Sequence, residues 1–208
     1  MLTIIIPPTS TDLTNLATVK AELGLTGTAD DAWLATIISA QSAAIASHCR
    51  RTFGRASYGE TFPAPKATGG YSRPVQRVVL SVVPVANVAS ITEDGAALNP
   101  ADFEVDPPSG LVWRLDAQGH EVEWPNRRIV VAYSAGWLLP GRDLPADIER
   151  ACLLAVGAAW HGRSRDPALR SEAVDGVLNR SWQVGAGAAA LSAEVQALLA
   201  PYVAPALL

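Results

Sequence analysis

Helical periodicity at both ends of this chain, and its absence from 56–137, constrain the fold more than any motif does. Near the start, Leu13, Leu16, Val19 and Leu23 recur at helical spacing, and Gly24 stands where a C-terminal cap needs a left-handed residue. A second helix is expected from Asp30-Asp31 to about Arg51, with Trp33, Ile37, Ile38, Ala44 and Ile45 on its apolar stripe. The acidic pair suits its first turn, and His48, Arg50 and Arg51 suit its last, because the helix dipole favours those signs there. From Arg55 the texture changes to glycine, proline and β-branched residues. Strands are expected near Tyr58–Phe62, Arg77–Val82, Val88–Thr92, Phe103–Val105, Gly110–Leu115 and Arg128–Tyr133. Glu93-Asp94-Gly95 is a turn signal, and 63–74 reads as a loop by its composition.

Helical spacing returns after Pro145, which is suited to a first helical turn and is followed by Asp147 and Glu149. Ile148, Cys152, Ala155 and Ala159 line one side, Leu153, Val156 and Trp160 widen it, and the helix ends near Gly162. Arg163–Asp175 is charged and broken by Pro167. GAGAAA at 185–190 reads as a small-residue hinge before a short helix carrying Leu191, Val195, Leu198, Leu199 and Tyr202. The expectation is therefore an α+β protein with about four helices, including a C-terminal arm. Residues 1–55 and 138–184 form a helical body, 56–137 a β-rich insert, and 185–208 a hinge and docking helix. Residues 1–10 are expected to be extended, ended by Pro7-Pro8.

The charge balance narrows the function. With 16 basic and 20 acidic residues the net charge is −4, so the chain lacks the basic excess of proteins that hold nucleic acid through its phosphates. Fourteen of the sixteen cations are arginine, Lys20 and Lys66 being the exceptions, and arginine suits fixed carboxylate pairs at interfaces. The two cysteines, Cys49 and Cys152, fall in separate helices without metal spacing and read as buried reduced thiols. MLTIIIPP lacks the charged n-region of a secretory leader, and no run reaches the ~20 apolar residues of a membrane span. A protein made and kept in the cytoplasm, with no membrane partner, is expected.

No catalytic, cofactor-binding or metal-ligating set stands out. His48, His120 and His161 lie in three separate segments, none with a second ligand at metal spacing. His161, Ser164 and Asp166 have the residue types of a hydrolytic triad. A single WHGRSRD turn seldom supplies the buried orienting carboxylate and oxyanion donors a triad needs, so a solvated helix end is the better account. GxSxG, GxGxxG, Walker and HExxH patterns are absent. A rival reading takes Trp113 and Trp124 as a stacking platform on a sheet, with the WHGRSRD turn nearby, in a ligand-binding or hydrolytic domain.

The tail leaves two alternatives. Burying Leu191, Val195, Leu198 and Leu199 contributes roughly 6–12 kcal/mol at ~1.5–3 each. Ordering the helix and its hinge costs about 1–2 kcal/mol per residue. The terms are comparable, so the segment needs a good surface, either a partner's or that of its own domain.

Taken in order, TVKAELGLTGTADDAWLATIISAQSAAIASHCRRTFG, LSVVPVANVASITEDGAAL, VVAYSAGW, LPADIERACLLAVGAAW and LLAPY resemble the head–tail connector, or adaptor, family of long-tailed bacteriophages. The resemblance spans nearly the whole chain and is most like the adaptor of a gene transfer agent, a phage-like particle. It implies a ring of copies, about twelvefold, beneath a portal protein and above a stopper or tail-completion protein. Double-stranded DNA passes through its channel. It also implies that Ser192–Leu208 engages the portal, and that no enzyme chemistry or cofactor is involved. In such a protein YSAGWLLPGRDLPADIERA, at 133–151, is the return from insert to body: Tyr133 ends the last strand, Gly136 permits the bend, Trp137 wedges the seam, and Pro145 starts the helix. Arg142 and Asp143 are then loop residues.

Overall fold

The structure is a computed structural model that describes residues 1–64, 76–125, 127–141, 143–163, 171–174, 178–181 and 191–205. The chain divides into two compact units, each made of two separated segments. Met1–Thr9 with Gly54–Trp137 form a β unit, and Ser10–Phe53 with Leu138–Leu208 form a helical unit.

Among the described residues nine strands build the β unit: β1 (Leu2–Ile6), β2 (Ala56–Phe62), β3 (Arg77–Val79), β4 (Val85–Glu93), β5 (Ala96–Ala97), β6 (Phe103–Asp106), β7 (Leu111–Leu115), β8 (Glu121–Val122) and β9 (Ile129–Ala135). One antiparallel sheet has the order β1-β2-β9-β4-β5, and the other has β3-β7-β6 with β8 beside β7. Alternation decides which face is packed. On β9, Ile129, Val131, Tyr133 and Ala135 are buried while Val130, Ala132 and Ser134 are not. Opposite them Ala56 and Tyr58 of β2 and Val85 and Ile91 of β4 turn the same way, and Val78, Val112 and Trp124 join this core. The β4–β5 turn has Asp94 at φ 48° and Gly95 at φ 89°, the two positive angles a right-twisted two-residue hairpin needs.

Among the described residues two carboxylates, Glu60 and Glu93, are buried beside this core, and each has a partner. Glu60 accepts hydrogen bonds from the Ser81 amide at 2.9 Å, the Ser81 hydroxyl and the Tyr133 hydroxyl at 3.0 Å. Glu93 takes the Nε of Arg114 at 2.7 Å, joining β4 to β7. Such pairings are what make burial of a charge tolerable.

The helical unit contains α1 (Leu16–Leu23), α2 (Asp31–Cys49), α3 (Ala146–Gly162) and α4 (Ala193–Leu199), and a hairpin of β10 (Ser171–Val174) and β11 (Leu178–Ser181). Asn15 caps α1 by accepting from the Thr18 amide at 2.9 Å, and Gly24 ends it at φ 67°. The core faces are Leu34, Ile38, Ser42, Ile45 and Cys49 on α2 and Ile148, Ala151, Cys152, Ala155 and Val156 on α3. Ser42 is buried there because its hydroxyl accepts from the Leu13 amide at 2.9 Å.

Four expectations need correction. Residues 1–9 do not belong to the helical body: Leu2–Ile6 pair with β2, a partner far along the chain that periodicity cannot register. The α2 stripe is centred on Leu34, Ile38 and Ile45, leaving Trp33, Ile37 and Ala44 half-buried at its margin. Tyr133 lies inside the last strand, which continues to Ala135, and Pro145 is the residue before the first helical one. A strand, β10, stands within the 163–175 stretch read as charged and broken, and it pairs with β11. The expected 63–74 loop and 185–190 hinge lie outside the described residues, wholly or for the most part, as does Arg142.

Candidate interaction surfaces

The residues that could do chemistry are dispersed or enclosed. His120 sits in an exposed turn, its Nδ1 3.5 Å from the Asp116 carboxylate. The backbone N–H groups of His120 and Gln118 also reach that carboxylate, each at 2.9 Å, and the first of them chiefly holds it below the usual range. This is a self-satisfied turn. His48 is half-buried on α2 and His161 is exposed on α3, while Ser164 and Asp166 lie outside the described residues. Among the described residues no three His, Cys, Asp or Glu side chains are grouped to hold a metal. Burial pushes the Cys152 thiol up to about 11 and raises Cys49 as well, so neither is a ready nucleophile. Burial first, and then the Glu60 carboxylate, raise the Tyr133 phenol; it remains a hydrogen-bond donor.

Trp113 and Trp124 do not form a platform. Trp124 is a core residue, 1 % exposed, with Nε1 donating to the Val112 carbonyl at 3.3 Å. Trp113 is half-buried under the Arg77 guanidinium, 5.6 Å from its ring centroid. In the helical unit Trp33 and Trp160 meet edge to face at 5.8 Å, and Arg163 stacks 3.5 Å over Trp160 while pairing with Asp30 at 2.9 Å. Those arrangements fasten α2 to the end of α3.

The seam has a clear geometry in the β unit. Where the chain enters at Gly54-Arg55 and leaves at Gly136-Trp137, the Arg55 amide donates to the Trp137 carbonyl at 2.8 Å, Arg55 Nε donates to the Gly136 carbonyl at 3.1 Å, and Gly54 bridges Trp137. Gly136, at φ 99°, makes the bend that a side chain would strain. The two crossings are thus clamped together, a structural use of the stretch.

The C-terminal set is split. Val195 and Leu199 are buried in the helical unit, against α3, whereas Leu191, Leu198 and Tyr202 are half-buried. Ser192 caps α4 through the Val195 amide at 3.3 Å, and the Ala204 amide donates to the Cys49 carbonyl at 2.9 Å. Of the two tail alternatives, packing on its own unit is what this geometry displays.

One surface escaped the periodicity argument. Leu2, Ile4, Ile5 and Ile6 of β1 are 40, 55, 59 and 60 % exposed. The signal was present as a β-branched run, but a run alone does not tell whether its faces are covered. Among the described residues, no helix is long and apolar enough to cross a membrane.

Fold and surfaces together define a two-unit α+β chain whose conspicuous features are packing and exposed edges. No family model and no curated protein matches the chain. Solved structures do. The fold is shared with a chain from the neck of an empty gene transfer agent (GTA) particle computed with C6 symmetry, at a TM-score of 0.56 and 19 % identity, covering 100 % of this chain and 97 % of that one. It is likewise shared with a chain of the native GTA virion, at 0.57 and 19 %, and with one of the native GTA neck computed with C12 symmetry, at 0.55 and 18 %, with the same coverage.

Proposed function

We propose that this chain is a non-enzymatic head–tail adaptor of a phage-like particle. Copies of it form a ring, twelvefold in the particle, with a portal protein on one side and a stopper or tail-completion protein on the other. Double-stranded DNA passes through the channel. The observation that carries this reading is the end-to-end likeness to GTA neck chains, since both units are matched, in order, over the full length. The enclosed thiols and the partnered buried carboxylates Glu60 and Glu93 are consistent with a structural role.

The portal contact is assigned to the C-terminal segment in a revised form. Val195 and Leu199 anchor α4, and the half-exposed Leu191, Leu198 and Tyr202, with Val203 beyond them, form the surface offered to the portal. Electron microscopy of the purified chain mixed with its portal tests this: a coaxial ring with 191–205 at the junction is expected. A chain that remains apart from the portal refutes it. The net charge of −4 suits a channel through which DNA slides, because phosphate contacts would hold it. The free protein should show no duplex-DNA binding in a fluorescence anisotropy titration even at low salt; tight, salt-dependent binding would contradict the channel reading.

A further inference from the structure

Resting on that ring reading, we propose that β1 is an intersubunit strand. Its free edge joins the sheet of a second copy of this chain along that copy's β4 edge, Ala86–Ser90. β1 pairs with β2 along one side only; among the described residues no strand covers its other side. Its side chains make the open edge apolar on both faces. Leu2 and Ile4 stand opposite Glu60 and Tyr58, on the face that carries the core, yet remain half exposed. A bulge between Ile4 and Ile6 then puts Ile5 and Ile6 together on the opposite face, where Ile5 lies over Gly59; a Cβ there would come within 3.3 Å of Ile5 Cδ1.

Strand edges that must stay single are usually guarded by charge, proline or a covering element. LTIII contains no charge or proline. The opposite end of the same sheet is open in a complementary way. β5 covers only the Thr92–Glu93 end of β4, and the stretch Ala86–Ser90 is uncharged and mostly small, with Ala86, Asn87, Ala89 and Ser90 exposed. Bulky β-branched residues on one edge face small residues on the other.

Strand direction permits the match. Every pairing is antiparallel, so β1 and β9 run one way and β2 and β4 the other. If successive copies keep their packed faces on one side, β1 of the next copy arrives antiparallel to β4, extending the same ladder. Joining two different edges is a head-to-tail contact, the kind that forms a ring where the rotation between copies closes, as the ring reading requires.

The test uses the full chain carrying both Thr3→Cys and Ala89→Cys. Native Cys49 and Cys152 are buried and give little background. Mild oxidation with copper–phenanthroline followed by non-reducing electrophoresis should yield a ladder beyond the dimer. In parallel, Ile5→Lys/Ile6→Lys should weaken self-association at least tenfold by sedimentation velocity, with an unchanged circular dichroism spectrum. Products that stop at a dimer would mean that like edges pair and would overturn the proposal. Rings that form with neither crosslink nor sensitivity to the lysines would overturn it while leaving the adaptor reading in place. A chain that forms no ring, free or on the portal, would remove both.

Discussion

Replacing Val195 and Leu199 by alanine distinguishes an anchored tail from a free docking arm. Leu199 is completely buried and Val195 is 2 % exposed. A Leu→Ala change at a buried site costs about 2–5 kcal/mol, the higher values applying where the cavity cannot collapse. Val195→Ala removes two buried carbons, ~1.6 kcal/mol at ~0.8 per methylene. Both sit one turn apart against α3, so the terms will not add cleanly, and about 4–6 kcal/mol is expected for the pair. With a urea m-value of ~1–3 kcal/mol/M, the midpoint of the helical transition should fall by roughly 1.3 M or more. Ellipticity at 222 nm during urea titration of the free protein reads this directly. An arm waiting for its partner would contribute nothing in the free chain. An unchanged midpoint would therefore refute the reasoning, and with it the assignment of these two side chains as anchors.

Two further outcomes follow from the buried polar groups. Glu60→Gln places an amide NH2 against Ser81 and Tyr133 donors and should cost about 1–3 kcal/mol, read as a lowered Tm by scanning calorimetry; an unchanged Tm would mean that the carboxylate is not holding Ser81 to the sheet. The Cys152 thiol is held neutral to about 11 in the folded protein against an ordinary value of 9.0, so the unfolded chain loses its proton first. Stability should be level below the lower value and decline from pH ~9 to ~11, with a shallower decline in Cys152→Ala; identical slopes in urea titrations across that range would refute the burial argument.

What could be read from sequence tracks how local the cause is. The cap at Gly24, the Asp94-Gly95 hairpin and most strand positions follow from backbone preferences within a few residues, and these appear as expected. The adaptor resemblance, carried by the order of segments along the chain, agrees with the shared fold. The surfaces were less legible. Leu191, Val195, Leu198, Leu199 and Tyr202 form one apolar set in sequence, but packing against α3 separates anchors from exposed members. The role of Ile4–Ile6 depended on which distant strand they joined.

Sequence by itself determined the alternation of textures: helices at both ends, an antiparallel β region between them, and an acidic balance unsuited to gripping DNA. Those properties are set by side-chain periodicity and net charge, which act without regard to partners. Tertiary structure alone decided that the first strand completes the β unit, that the entry and exit at Gly54 and Trp137 are clamped, and that α4 is anchored. Each is a pairing between residues far apart in the chain. Such pairings are chosen by which edges and faces remain unsatisfied after local structure has formed, a quantity that does not exist until the chain has folded.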